Sequence, residues 1–426
     1  MTNLYDEFQW RGLVYDTSEG LPDLLAKEKL TGYIGFDPTA SSLHIGSLLP
    51  MIALSRLQRF GHTPIAIAGG GTGMIGDPSG KTNERTLLSL EEIERNLEGI
   101  KPQIARFLDF DAAANPARIV NNADWLCTIG LMPFLRDVGK YFTVNYMLQK
   151  ESINRRLESE EGLSYTEFSY LLAQSWDFVQ LFDRYGCTLQ LGGSDQWGNI
   201  TAGIDLVRKI RGQKVHALVM PLITTASGVK FGKTESGTIW LDPGRTSPQE
   251  FRQFWLNTDD RDVIKYLKYF TFLSRDEIGA LERATMHAPQ KREAQGVLAD
   301  QVGQLVHGDA AARVGESNAV LFSAATDEDP KAIADRLSAI AGDVPSTNIA
   351  AGEFDGAGVS IVDIVVRVKL AASKSEARRL VEQGGVKVNE RRTSDPNARL
   401  TRADAYDGRV FLVQKGARQR HVIQLT

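Results

Sequence analysis

The feature that most constrains this chain is a strand, helix, strand succession between residues 30 and 69. LTGYIGF (30–36) is short and apolar, residues 42–60 carry apolar side chains at helical spacing as far as Gly61, and TPIAIAG (63–69) is again short and apolar. Two apolar strands joined by a helical crossover pair in parallel, and parallel strands covered on both faces build a doubly wound α/β sheet. Ligands of such sheets sit beyond the carboxyl ends of the strands. Two segments therefore come first in a search for chemistry: FDPTASSLHIGS (36–47) after the first strand and GGGTGMIGDPSGKT (69–82) after the second.

The glycine-rich segment imitates two nucleotide motifs without matching either. Gly71-x-Gly73-x-x-Gly76 has the spacing of a dinucleotide fingerprint, but that motif starts a helix at its glycines, and Asp77-Pro78 disfavours helical backbone there. Gly80-Lys81-Thr82 is not a Walker loop, because Ile75 stands where its first glycine is required. What remains is either a structural turn or a loop whose backbone lies against a ligand, carrying Asp77 and Lys81.

In the first segment, a helix N-terminus offers unpaired N–H groups and partial positive charge, which favour phosphate. Ser41 or Ser42 is expected to cap it, His44 adds a donor and Gly46 leaves room for a ligand; an ordinary capped helix is the alternative. Far along the chain, KFGKTESG (230–237) sets Lys230 and Lys233 three residues apart among glycine and serine. Two ammonium groups there suit the charge that develops on a leaving pyrophosphate. The apolar helix expected over 164–185 opens with Ser164-x-x-Glu167, a capping-box pattern. It carries Tyr170, Gln174 and Asp177 on one face. That stripe is a satisfied buried network, a solvent edge, or the floor of a pocket for a polar molecule.

At roughly 150 residues per domain, 426 residues make about three domains. Residues 247–320 alternate apolar and charged side chains at helical spacing and form a helical region; 321–358, with weaker periodicity, is expected to be a linker. Apolar runs fall short of the ~18 residues that span a membrane, so a soluble protein is expected. The acidic N-terminal stretch shows neither the basic nor the apolar segment of a secretory signal, so export is not expected. Cys127 and Cys187 have no metal-ligand neighbours, which fits a reducing cytoplasm. Residues 361–426 hold 14 Lys and Arg against 7 Asp and Glu, a net +7, so the first 360 residues carry −11 of the chain's overall −4. A basic tail on an acidic body is either a solvated surface or a seat for a polyanion.

His44-Ile45-Gly46-Ser47 resembles the HIGH signature, and Lys230-Phe231-Gly232-Lys233-Thr234 the KMSKS signature, of class I aminoacyl-tRNA synthetases. With GFDPTASSLHIG, GGGTGMIGDPSGKT, FSYLLAQSWDF and LGGSDQWGNI the similarity narrows to the bacterial tyrosyl branch, running from about residue 30 into the C-terminal module. Ser47, Phe231, Gly232 and Thr234 depart from the two signatures in ways familiar in that branch, while His44, Gly46 and both lysines are kept.

The resemblance implies a Rossmann-type doubly wound catalytic domain over 1–228 and a lysine loop with a helical tRNA-binding domain over 229–320. After a linker over 321–358 comes a small α+β RNA-binding domain over 359–426. ATP with Mg²⁺, L-tyrosine and tRNA(Tyr) are the implied substrates and partner, in a cytoplasmic homodimer with no metal site of its own. Tyr33 and Asp177 would hydrogen-bond the tyrosine phenol, and Asp77, Tyr170 and Gln174 would hold its ammonium. Gly192 and Asp195 would meet the ribose, Gly35 and Asp37 the adenylate, and Gln196 the reacting carboxyl group. Thr39, His44 and Gly46 would face the pyrophosphate, with Lys81, Lys230 and Lys233 supplying charge and Phe231 and Gly232 completing that ATP-binding segment.

VRVKLAASKSEARRLVEQGGVKVNERR (366–392) reads as two short helices, a Gly384-Gly385 turn and a strand. It resembles the small αL RNA-binding module, with Lys374, Arg378, Arg379, Lys387, Arg391 and Arg392 as the expected phosphate contacts. Arg208, Lys209 and Arg211 extend that basic path or form a solvated helix end.

Overall fold

The computed structural model describes residues 3–79, 87–157, 162–226, 228, 231–234, 237–323, 329–416 and 419–426, and of Ser152, Lys233, Thr234 and Ser323 the backbone only. The chain divides into two compact units, one of residues 1–247 and 254–306, the other of residues 248–253 and 307–426.

The first unit is built on a six-stranded sheet of β1 (Asp16–Thr17), β2 (Thr31–Phe36), β3 (Thr63–Ala68), β4 (Arg118–Asn121), β5 (Cys187–Gly193) and β6 (His216–Met220). The order across it is β1-β6-β5-β2-β3-β4, parallel throughout except for β1. From β2 the chain crosses to β3 on one side and much later returns through β5 on the other, so the switch point lies between β2 and β5. β3, β5 and β6 are almost continuously buried, as strands covered on both faces must be. The crossover helix, Leu48–Arg59, is ended by Gly61 at φ +83°, where a side chain would be strained. The helix Tyr165–Tyr185 starts at Ser164, whose side chain accepts the Glu167 N–H. The Glu167 carboxylate turns instead to the buried guanidinium of Arg156 at 2.9 Å. A short hairpin, β7 (Lys233–Thr234) and β8 (Gly237–Thr238), follows, and helices between 254 and 306 complete the unit. The boundary expected at 228 is absent from the packing, because the aromatic side chains after 253 close on the segment around Phe231.

The second unit holds a five-stranded sheet. Its strands are β9 (Ser346–Ile349), β11 (Val386–Val388), β12 (Arg391–Thr393), β14 (Val410–Lys415) and β15 (Gln419–Leu425), in the order β12-β11-β14-β15-β9. A small pair, β10 (Val359–Ser360) and β13 (Arg399–Leu400), stands beside it. Alternation along β14 explains the layering. Val410 and Leu412 pack with Ile333, Leu337 and Ile340, while Phe411 and Val413 pack with Ile361, Ile364, Ala377 and Val381 on the opposite face. The linker expectation for 321–358 is therefore corrected. Asp329 caps a helix, Pro330–Ile340, and β9 pairs in parallel with β15. The Asp329-Pro330 pair is a start signal, since proline suits the first helical turn, where its missing N–H costs nothing.

Candidate active site

The carboxyl ends of β2 and β5 open into a cavity of about 430 Å³. Its lining joins Tyr33, Gly35, Asp37, Thr39, His44, Gly46, Asp77, Tyr170, Gln174, Asp177, Gly192, Asp195 and Gln196, segments more than a hundred residues apart in sequence.

At the closed end Asp177 is buried. Its two carboxylate oxygens accept from Trp125 Nε1 at 2.7 Å and Asn122 Nδ2 at 3.0 Å. Burial pushes its pKa up to about 7, against the pull of those two donors. The Tyr33 phenol is buried too and, among the described residues, has no hydrogen-bond partner. Desolvation and the neighbouring Asp177 hold its pKa well above the usual tyrosine value. Tyr33 pairs in register with Gln190 on β5, and the Gln190 Oε1 is likewise buried and unpartnered. Two orphaned polar atoms on adjacent strands, beside a carboxylate with lone pairs to spare, leave hydrogen bonds for a buried polar group to complete.

The middle of the cavity is one hydrogen-bonded network. Tyr170 Oη donates to Asp37 Oδ2 at 2.9 Å, Thr72 Oγ1 donates to Asp37 Oδ1 at 2.7 Å, and Asn122 Nδ2 reaches Thr72 Oγ1 at 3.0 Å. Desolvation first, then Asp37, keeps the Tyr170 phenol protonated far above its ordinary range. Asp77 accepts from Gln196 Nε2 at 2.6 Å and from the Ser79 N–H, and Asn199 Nδ2 reaches Gln174 Oε1 at 2.9 Å. The glycine-rich segment makes this closeness possible. A Cβ on Gly69 would lie 2.2 Å from Asp37 Oδ1, and one on Gly70 2.3 Å from Asn121 Oδ1. By contrast, a Cβ on Gly35 would meet nothing within 4 Å, so that glycine leaves the cavity floor open.

At the mouth the expected capping is corrected. His44 itself takes the cap position of a 3-10 turn, Ile45–Ser47, that precedes the crossover helix; its Nδ1 accepts the Gly46 N–H at 3.0 Å. Ser42 Oγ donates to the Leu43 carbonyl. With Nδ1 occupied as an acceptor, a neutral His44 ring carries its proton on Nε2. Gly46 is needed by the ring before any ligand, since a Cβ there would sit 2.7 Å from His44 Cε1.

The segment carrying the lysine signature lies directly against this turn. Ile45 N–H donates to the Ile239 carbonyl, Ile239 N–H to the Gly232 carbonyl, and a Cβ on Gly232 would strike Ile45 Cγ2 at 2.4 Å. Phe231, expected in the ATP-binding segment, turns its side chain into the core. Its ring is buried in an aromatic cluster, stacked on Phe270 at 5.4 Å and edge-on to Tyr266 at 5.2 Å. Lys81 and Lys230 lie outside the described residues, as does the Lys233 side chain, whose backbone starts β7.

Sequence reasoning missed Asn122, Trp125, Gln190, Thr72, Asn199 and Trp240. Only Gln190 gave a signal, an amide inside an otherwise apolar strand. Trp240 stands edge-on to His44 at 6.4 Å with the Arg245 guanidinium 3.4 Å over its ring.

In the second unit all six expected RNA contacts are exposed, and two of them, Lys374 and Arg378, line a surface cavity of about 560 Å³ together with Arg399. Arg399 was not anticipated. Arg392 is partly engaged, its Nε donating to the Gly384 carbonyl at 2.8 Å, and Lys374 pairs with Asp363 at 2.7 Å. Arg208 and Arg211 pair with Asp205 and Asp183, and Lys209 donates to the Tyr141 carbonyl, which favours the solvated helix end for that cluster.

The sequence profile described as tRNA synthetases class I (W and Y) matches residues 25–322, and that of a tyrosine–tRNA ligase C-terminal domain matches residues 336–423. The chain belongs to the class I tyrosyl/tryptophanyl aminoacyl-tRNA synthetase family. Within that family it is 55% identical over 426 residues to the tyrosine–tRNA ligase of Roseiflexus castenholzii, each chain covered in full. It is 49% identical to that of Bacillus caldotenax, with 99% of each covered. A crystal structure of a C-terminally truncated Aspergillus nidulans mitochondrial tyrosyl-tRNA synthetase is 31% identical, covering 76% of this chain and 95% of that one, with a TM-score of 0.68.

Proposed function

We propose that this synthetase joins L-tyrosine to ATP as tyrosyl-adenylate and then passes the tyrosyl group to the 3′-terminal ribose of tRNA(Tyr). The observation that carries the tyrosine assignment is the closed end of the cavity, where Asp177, the orphaned Tyr33 phenol and Gln190 surround a space that only a side chain with a polar tip completes. Asp77, Tyr170 and Gln174 then hold the ammonium, and Gln196 orients the carboxylate toward the nucleotide. Gly35 and Asp37 lie along the adenylate, and Gly192 and Asp195 receive the ribose hydroxyls.

The substrate carboxylate attacks the α-phosphorus. One P–O bond forms as the bond to pyrophosphate breaks, and the protein supplies no nucleophile. His44 Nε2 and Thr39 meet the departing phosphates, with Lys81, Lys230 and Lys233 offsetting their charge. In the second step the ribose hydroxyl of the tRNA attacks the adenylate carbonyl and AMP leaves. Mg²⁺ arrives with the nucleotide phosphates; among the described residues no group of three His, Cys, Asp or Glu could hold a metal ion.

ATP–pyrophosphate exchange tests the reading, and tyrosine alone of the twenty amino acids is expected to support it. Exchange driven equally well by tryptophan, the other substrate class of this family, would refute the pocket assignment. In the same assay Lys230→Ala or Lys233→Ala is expected to slow activation by ~10²-fold with little change in tyrosine affinity, since their charge matters most as pyrophosphate leaves.

A cytoplasmic homodimer completes the proposal. Both cysteines are free thiols. Leu131 and Met132 are 70% and 72% exposed, and Leu131 borders an apolar groove with Phe134, Leu126 and Ile75 that a second copy would cover. Sedimentation is expected to give the mass of two chains, and Leu131→Asp with Met132→Asp the mass of one. A wild-type monomer would remove the dimer from the proposal.

A further inference from the structure

The helix Asp260–Phe270 contributes nothing to the cavity lining, yet it touches the lysine signature and the HIGH helix at once. At its first turn the buried Asp262 accepts the Ala226 N–H at 2.7 Å, four residues before Lys230. One turn on, Lys265 holds Asp262 at 3.0 Å and donates to the Thr224 carbonyl at 3.1 Å. Tyr266 and Phe270 form two walls of the socket that takes the Phe231 ring, between Lys230 and Lys233. At its far end, Arg56 of the crossover helix donates through Nη2 to the carbonyls of Lys268 and Thr271, at 3.0 and 2.7 Å.

Two features argue that this frame does more than fill space. Asp262 is an ionisable side chain almost completely buried, spent among the described residues on one backbone N–H and one lysine. Arg56 is fully buried with Nε and Nη1 unpartnered among the described residues, a costly way to tie two helices that an apolar residue of similar size would join without desolvation. What a guanidinium adds is direction: cations suit the carbonyl end of a helix, and the Arg56 hydrogen bonds, made to two carbonyls that Arg11 Nη1 also holds at 2.8 and 3.1 Å, tie that end to the HIGH helix. Since Gly232 already rests on Ile45, the depth of the Phe231 socket sets the lysine signature against the His44 turn.

We infer that Asp262 and Arg56 are positioning residues for adenylate formation, setting the lysine signature against His44 through the helix between them. This rests on the activation chemistry proposed above. A displacement of about 1 Å at a charge-stabilising group is enough to cost on the order of 10²-fold in rate.

The test measures single-turnover adenylate formation and equilibrium tyrosine binding on the full-length chain. Asp262→Ala is expected to slow adenylate formation by roughly 10- to 100-fold while tyrosine affinity stays within about twofold. Asp262→Asn, whose amide oxygen still accepts the Ala226 N–H, is expected to recover most of the rate. Should Asp262→Ala not fold, Arg56→Lys carries the same comparison, with a slower rate at unchanged affinity expected. An unchanged rate, or a rate and affinity that fall together as general damage to the unit would make them, overturns the inference. A wild-type chain without tyrosine-dependent exchange would instead overturn the proposed function, so the two failures are distinguishable.

Discussion

Asp177→Ala is expected to lower kcat/KM for tyrosine activation by roughly 10³-fold, because the substitution removes the acceptor of the substrate phenol and leaves that O–H buried without a partner. A hydrogen bond to a charged group contributes about 1.5–3 kcal/mol, and a buried donor left unsatisfied costs about 1–3 kcal/mol more, so a total near 4 kcal/mol is the right order. Trp125 Nε1 and Asn122 Nδ2 lose their acceptor in the free chain as well, so their cost falls on folding stability instead. Preference for tyrosine over phenylalanine should collapse with it; in tyrosyl-tRNA synthetases, the standard example of such rejection, it is about 10⁵ without editing. Circular dichroism separates this from misfolding, and a folded Asp177→Ala protein that kept its preference would place the phenol elsewhere.

The same carboxyl group makes a prediction with a definite sign. Its pKa is raised to about 7 by burial, so the folded chain binds more protons than the unfolded one between the ordinary carboxylate range and pH 7. Through that window this group's contribution to stability falls as pH rises, then levels off above pH 7. A phenol O–H favours the ionised form. Tyrosine binding should therefore release protons near and below pH 7, and affinity should rise with pH until about 7. Calorimetry in buffers of different ionisation heat measures the release, which Asp177→Asn should abolish.

What was legible in the sequence follows from the range of the forces involved. The parallel sheet announced itself because strands buried on both faces must be apolar along their length. Tyr170, Gln174 and Asp177 were legible as a polar stripe because a helix fixes which residues share a face. Asn122 and Trp125 were not, because nothing local marks the side chains that orient a carboxylate from a strand away. The serine cap failed for a related reason: Ser41 and Ser42 qualify by type, but the backbone pairing of Leu43 and Ile45 with Leu241 and Ile239 puts the histidine at the cap. Phe231 shows the limit of the resemblance, which marks a segment as nucleotide-binding without saying which of its side chains turn away into the core.

The basic C-terminal region leads to the other large effect, and the fold moves the cut that tests it. Ending the chain near Ser360 would leave β9 without β15 and expose Ile333 and Leu337, whose partners are Val410, Leu412 and Val422. A cut at Phe322 removes that sheet and its helix together, at the cost of uncovering Leu321; it falls where the synthetase profile ends and leaves a length close to that shared with the truncated Aspergillus structure. Such a protein retains the whole cavity and is expected to form tyrosyl-adenylate at the full-length rate. Its charging of tRNA(Tyr) at low tRNA concentration and physiological salt should fall by about 10³-fold or more, because the exposed cations of residues 374–399 neutralise phosphates and their effects on affinity multiply. Affinity of the intact chain for tRNA should decline steeply with salt, and replacing both Arg378 and Arg379 with alanine should reduce the log–log slope by about 0.7 to 0.9 for each phosphate left without its cation. Equal charging by the truncated and intact proteins would separate the positive tail from this reaction, and its +7 would then answer to a different polyanion.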